Sequence, residues 1–193
     1  MMRRKLGRFL MVCGALALLC AGGLLIHNLV ENERAGEASR EAVTAVKAQV
    51  GACPAVKAPV KQMSVAEIDG LEYIGWLSMP TVDRELPILA ELTDAGLQIA
   101  PGRYCGSTYT DDLVLAAHNF SFHFGVLNDL RPGDPVIFTD MDGIVSRYEV
   151  AGTEILQPTD IEKMKDSDAD LTLFTCTYGG ASRVTVRCER VFG

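Results

Sequence analysis

Basic residues are scarce in this chain of 193 residues, where 18 Lys and Arg stand against 25 Asp and Glu for a formal net charge of −7. Four of the basic residues, Arg3, Arg4, Lys5 and Arg8, crowd the first eight positions. The remainder carries 14 basic and 25 acidic residues, a net of −11. No basic patch interleaved with aromatics occurs, and an acidic body of this kind argues against a nucleic-acid surface. Cationic peptides or amine-bearing acceptors suit its field better. Histidine is scarcer still, at three residues, and the six cysteines form no Cys-x-x-Cys pair and no cluster with histidine. That removes the common zinc sites. Internal repeats and low-complexity tracts are absent as well, and the length fits one domain plus appendages around a real core.

What is present begins with an apolar run. Phe9 to Val30 is apolar or small throughout, broken only by His27 and Asn28. As a helix its 22 residues extend about 33 Å, enough for a hydrocarbon core of about 30 Å. Basic residues precede it and Glu31 and Glu33 follow it, which places the N-terminus in the cytoplasm and the rest outside the cell membrane. A cleavable signal peptide is the competing reading, because Cys20-Ala21-Gly22-Gly23 is small. The run continues past that point, and this favours a retained single-pass anchor over residues 1–30. Val50-Gly51-Ala52-Cys53 has the look of a lipoprotein cleavage box, about twenty residues too far from the apolar run.

Residues 31–68 read as a stalk helix and a linker. Ala42, Val43, Val46 and Val50 recur at helical spacing among charged residues, which predicts an exposed amphipathic helix. Gly51 to Met63 carries Pro54 and Pro59 and marks the linker. From residue 69 the pattern changes to short strands. Tyr73–Pro80 and Glu85–Leu89 open the domain, and Val136–Phe138 and Ser146–Val150 bracket the turn former Asp142-Gly143. Trp76 is expected in the core or at a barrel end. Residues 90–112 are loop-rich, with Pro101, Gly102 and Gly106. Short strands with turn signals and only weak helices predict an all-β barrel or sandwich over 69–193.

Leu171-Thr172-Leu173-Phe174-Thr175-Cys176 organises this domain. Its period-2 pattern puts Leu171, Leu173 and Thr175 on one face and Thr172, Phe174 and Cys176 on the other. A second strand starts at Arg183, with Val184, Val186 and Cys188 as its core face. The Gly-rich connection Thr177–Ser182 suits a hairpin return that sets Cys176 beside Arg183. A thiol next to a guanidinium at a hairpin mouth is a nucleophile with an electrostatic partner. Upstream, Leu113–Ala117 is another apolar strand, and it delivers His118 at its end. His27 lies inside the apolar run and His123 five residues beyond His118 in a loop. Arg187 competes with Arg183 but lies four residues, about 13 Å, further from the hairpin mouth.

The segments Thr172-Leu173-Phe174-Thr175-Cys176, Arg183-Val184-Thr185-Val186 and Ala117-His118-Asn119 resemble the sortases, the membrane-anchored cysteine transpeptidases of Gram-positive bacteria. Phe124-Gly125-Val126-Leu127 and Gly133-Asp134-Pro135-Val136 are similar to the stretch that follows the histidine there. Ala117 departs from the Gly that many members carry. The resemblance covers about residues 69–193 and selects a closed eight-stranded sortase-type β-barrel with short helices, preceded by one transmembrane helix. It implies that Cys176 attacks a peptide carbonyl to give a thioester, that His118 shuttles the proton, and that Arg183 stabilises the oxyanion or holds the substrate. It also implies a contact from Thr175 to the substrate. The substrate would be an LPxTG-like C-terminal sorting signal, and the acceptor an amine of a lipid II-like peptidoglycan precursor.

Two further readings stand beside this one. A pilin-polymerising member would use a pilin lysine as acceptor; such members often carry an Asp-Pro-aromatic lid, and residues 55–70 contain no such triplet. The histidine region and Gly75-Trp76 resemble class B-like members, for which the pentapeptide need not be LPxTG. A non-enzymatic alternative is a membrane-tethered β-barrel that binds peptides. Asp166, Asp168 and Asp170 alternate before the Cys176 strand, where some sortases bind calcium. The run lacks the Gly and terminal Glu of an EF-hand loop, so it reads as a solvated acidic loop. Neither a metal nor a cofactor is expected. One disulfide among Cys53, Cys105 and Cys188 is compatible with an extracellular domain, without a defined pairing.

Overall fold

The computed structural model describes residues 2–50, 62–165 and 168–192 and divides the chain into two compact units, Met1–Arg34 and Ala35–Gly193. The linker, with Cys53, and Asp166 in the acidic loop lie outside the described residues. Helix α1, Met2–Gln49, contributes to both units. In the smaller unit it exposes Leu10, Met11, Leu18, Leu24 and Ile26, and it is long and apolar enough to cross a membrane.

In the larger unit a β-barrel closes on itself. Its strands are β1 (Ala66–Ile68), β2 (Leu71–Met79), β3 (Arg84–Leu89), β4 (Gly102–Cys105), β5 (Leu113–Ala117), β6 (Pro135–Asp140), β7 (Val145–Leu156), β8 (Leu171–Cys176) and β9 (Arg183–Arg190). The neighbours run β1-β2-β3-β4-β5-β8-β9-β7-β6, and a further pairing of β6 with β2 completes the ring. Eight strands therefore make the barrel, with β1 added to the edge of β2. Helix α2 (Asp94–Leu97), a 3-10 helix at Phe124–Asp129 and helix α3 (Ile161–Lys165) decorate the connections.

Alternation along the strands fills the interior with Ile74, Leu77, Leu86, Ile88, Leu115, Phe138, Leu173 and Val186, all buried. Val184, Val186 and Cys188 of β9 face this core, as their spacing predicts. Closure depends on Gly75. It sits where β2 shifts register against β3, at φ +146°, and a Cβ there would lie 2.1 Å from the Thr139 carbonyl oxygen on β6. Only a residue without a side chain lets β2 and β6 approach to pair.

The helix expected to be exposed is packed in its second half. Ala35, Ser39, Val43 and Val46 form a buried stripe at helical spacing. Val46, Ala42 and Ala45 join Ile68, Tyr73, Leu89, Ala100 and Met141 in a cluster outside the barrel, with Trp76 and Ile99 partly buried against it. Residues 35–49 are thus part of the domain rather than a free spacer. The reason lies in the outward apolar residues Tyr73 of β2 and Leu89 of β3, which with Ile68, Ala100 and Met141 need a cover.

Candidate active site

Three neighbouring strands build the site. Strands β5 and β8 are parallel, with Ala117 opposite Thr175, so both chains leave the sheet at the same end. There β5 delivers His118, half-buried, and β8 delivers Cys176, half-buried. Strand β9 returns antiparallel and sets Arg183 opposite Cys176. With neighbouring strands about 4.8 Å apart, the histidine and arginine strands flank the cysteine strand across about 10 Å. The topology brings together residues separated by 58 positions of sequence, because β5 and β8 meet through a crossover.

The return from β8 to β9 is built by its turn chemistry. Thr177 N–H donates to the Ser182 carbonyl at 2.9 Å, and Gly179 and Gly180 both take positive φ, +83° and +76°. Arg183 Nη1 donates to the carbonyls of Gly180, at 3.2 Å, and Ser182, at 3.1 Å. Those bonds brace the loop and hold the guanidinium over the hairpin mouth, with Nε and Nη2 left as further donors. Arg187, its rival, is engaged elsewhere. It donates to Glu154 at 2.8 Å and to the Thr172 hydroxyl at 2.9 Å, and to the carbonyl of Lys163, tying α3 to β7 and β8.

Thr175 is buried, and its hydroxyl donates to the Ala117 carbonyl at 2.8 Å. This bond pins the ends of β5 and β8 together immediately before His118 and Cys176. The side chain therefore serves the seam between the two strands. On the outer face, Phe174 packs edge-on against Tyr104 at 5.3 Å between ring centres, in a cluster with Val114, Ala116, Leu156 and Met164.

Several residues around His118 carry no sequence signal of their own. Gln98, at the end of α2, places its amide nitrogen 3.4 Å from His118 Nε2. Phe120 lies 5.2 Å from the His118 ring and 5.4 Å from the His123 ring. His123, read from sequence as a loop residue, is fully buried. Burial pushes its pKa down to about 4, the His118 charge adds to that, and the nearby Ala35 and Ile99 carbonyls oppose it without forming well-directed hydrogen bonds. A short loop of aromatic residues gave no periodicity from which this burial follows.

Cys188 is a free thiol, and burial pushes it up to about 12, which makes it inert. Asp170 accepts from the Arg190 backbone N–H at 2.6 Å, so one carboxylate of the alternating acidic run is used inside the fold.

The closed eight-stranded ring agrees with the known proteins that the chain resembles. The model of the sortase domain matches residues 77–191, more than half of the chain. The chain belongs to the sortase family. Sortase A of Bacillus anthracis is 26% identical over 181 residues, covering 84% of each chain. Among solved structures, sortase C1 of Streptococcus agalactiae superposes with a TM-score of 0.57 at 27% identity, covering 66% of this chain and 72% of that one. Sortase A of Corynebacterium diphtheriae gives a TM-score of 0.57 at 22% identity, covering 89% and 96%, and shares the fold. The eight-stranded closed barrel of this sortase is the architecture that the sequence resemblance implies.

Proposed function

We propose that this sortase is a cysteine transpeptidase that cleaves an LPxTG-like C-terminal sorting signal and transfers the protein to a peptidoglycan amine. The observation that carries the reading is the register. Cys176 faces Arg183 across one strand pair and lies one strand from His118 across the other. Cys176 Sγ attacks the scissile carbonyl, and the developing oxyanion is met by the fixed positive charge of Arg183. His118 gives a proton to the departing amine, leaving a Cys176 thioester. The acceptor amine then attacks the thioester, His118 takes its proton, and the thiolate leaves. Thr175 supports both steps by holding the two strand ends in register.

The apolar N-terminal helix tethers the enzyme at the membrane with its catalytic domain outside, next to lipid-linked cell-wall precursors. A pilin-polymerising reading has one observation in its favour, the likeness to sortase C1 of the group B streptococcal pilus island 1, at 26% identity and a TM-score of 0.56. The two differ in the acceptor, a wall-precursor amine against a pilin lysine.

The test incubates full-length enzyme in micelles with fluorogenic sorting pentapeptides, with oligoglycine, diamino-acid or lysine acceptors, beside Cys176→Ala. Amine-ligated product that requires Cys176 supports transpeptidation and identifies the motif and acceptor. An inert Cys176, no more reactive to alkylation than the buried Cys188, together with no turnover on any peptide, would leave a peptide-binding barrel instead.

A further inference from the structure

We propose that residues Ala35–Gln49 of the N-terminal helix are a working part of the active site, because they set the position of His118 through the loop Asn119–Phe124. The inference rests on His118 being the proton-transfer group proposed above. Gly36 lies directly under the Phe122 ring, and a Cβ at Gly36 would stand 2.5 Å from the ring carbon Cγ. The Arg40 guanidinium covers the same ring at 5.0 Å, and Arg84 of β3 approaches it at 5.7 Å. Arg84 Nε also donates to the Ser121 carbonyl at 3.3 Å. The loop is therefore gripped between the helix and the barrel at Ser121 and Phe122.

From there a row of rings leads to the site. His123 follows Phe122 and is buried near the Ala35 carbonyl, its ring meets Phe120 at 5.4 Å, and Phe120 meets His118 at 5.2 Å. The loop's backbone is closed by bonds from His123 N–H and Gly125 N–H to the Phe120 carbonyl, both 2.9 Å. A loop so closed moves as one piece, so a shift of Phe122 is passed to Phe120 and hence to the imidazole. The helix is held in turn by Val46 in its apolar cluster and by the Lys47–Glu85 ion pair. Phe122, Gly36 and Arg40 are positioning residues; none is required to touch the peptide.

The experiment uses full-length enzyme in detergent micelles with selectively labelled histidine. Gly36→Leu forces the Phe122 ring away from the helix, Phe122→Ala removes it, Arg40→Ala removes the exposed cation, and Phe122→Tyr keeps the ring. The His118 imidazole resonance is titrated, assigned against His27 and His123 by single His→Gln variants, and kcat and KM are measured on a cleavable pentapeptide. The expected result is a displaced or broadened His118 titration in Gly36→Leu and Phe122→Ala. Their kcat falls about 10- to 100-fold, the scale on which a misplacement of about 1 Å acts, with KM within about 2-fold. Phe122→Tyr restores both readouts, and Arg40→Ala gives a fall of about 2- to 5-fold, as loss of one exposed cation–π contact allows. A wild-type His118 titration in Phe122→Ala and Arg40→Ala would overturn the inference, and Arg40→Ala, altered only at an exposed side chain, decides this even where Gly36→Leu fails to fold. If the native enzyme turns over no peptide, the proposed reaction fails, while the His118 titration still decides the coupling.

Discussion

His123 makes the stability of this domain depend on pH in a way that can be worked out from its surroundings. Its imidazole is fully buried, both ring nitrogens lack a well-formed hydrogen bond, and burial lowers its pKa from 6.5 to about 4. The fold accepts the neutral ring only. Above pH 6.5 the folded and unfolded chains hold the same number of protons at this position, and stability is unaffected. Between pH 6.5 and about 4 the unfolded chain takes up a proton that the folded one refuses, so stability falls as the pH falls. The loss levels off below about pH 4, at about 3 kcal/mol on the conversion of 1.36 kcal/mol per pH unit. The perturbation is His123→Phe, which keeps a planar ring, removes the titration and removes two buried polar atoms that gain nothing in the fold. The assay is the free energy of chemical unfolding of the full-length protein in micelles, measured from pH 7.5 to 4 for both proteins. The variant should equal or exceed the native protein at pH 7.5, and the gap in its favour should widen by up to about 3 kcal/mol at pH 4. Carboxylates titrate alike in both and cancel in the difference. Parallel curves across this range would refute the burial argument.

Other consequences follow from single contacts. Arg183→Lys keeps the charge but loses the guanidinium fork that braces Gly180 and Ser182, and kcat on a sorting peptide should fall about 10²- to 10³-fold, the scale set by losing one oxyanion donor. A Lys variant with native kcat would place the arginine's role outside the reaction. Thr175→Val removes the hydroxyl that spans β5 and β8, and a thermal melt should register a loss of about 1–2 kcal/mol; unchanged stability would show that the seam does not need it. Gly75→Ala drives a Cβ into the Thr139 carbonyl, so it should unfold the barrel or cost more than about 3 kcal/mol, the level of a strained backbone position. A soluble, native-like Ala variant would contradict the closure argument.

The strands of the candidate site were legible because their periodicity is strong. Leu171 and Leu173 alternate with Thr172 and Phe174, and the two sets do face the barrel core and the outer surface. The hairpin mouth was legible from Gly179-Gly180, since glycine pairs there admit the positive φ that a tight return needs. Cys176 beside Arg183 follows from that hairpin alone. The placement of His118 one strand away does not, because a parallel pairing between β5 and β8 leaves no local mark in either segment.

Helix residues 35–49 show where local patterning stops. Ala42, Val43, Val46 and Val50 at helical spacing specify an amphipathic helix, but the stripe is too small to announce a partner, and a solvent-exposed stalk is the natural reading. Its cover is decided by Ile68, Tyr73, Leu89, Ala100 and Met141, which only the folded barrel gathers into one apolar patch. The same holds for Phe122, whose neighbours Gly36 and Arg40 on the helix and Arg84 on β3 come from two distant parts of the chain. Sequence by itself determined the long apolar N-terminal helix, the all-β domain, the Cys176 strand and its hairpin, since each depends on side chains within a few positions of one another. Tertiary structure alone decided which strands close the ring, what the helix covers and what surrounds His118, because those contacts join segments whose approach is set by sheet curvature and packing rather than by any local pattern.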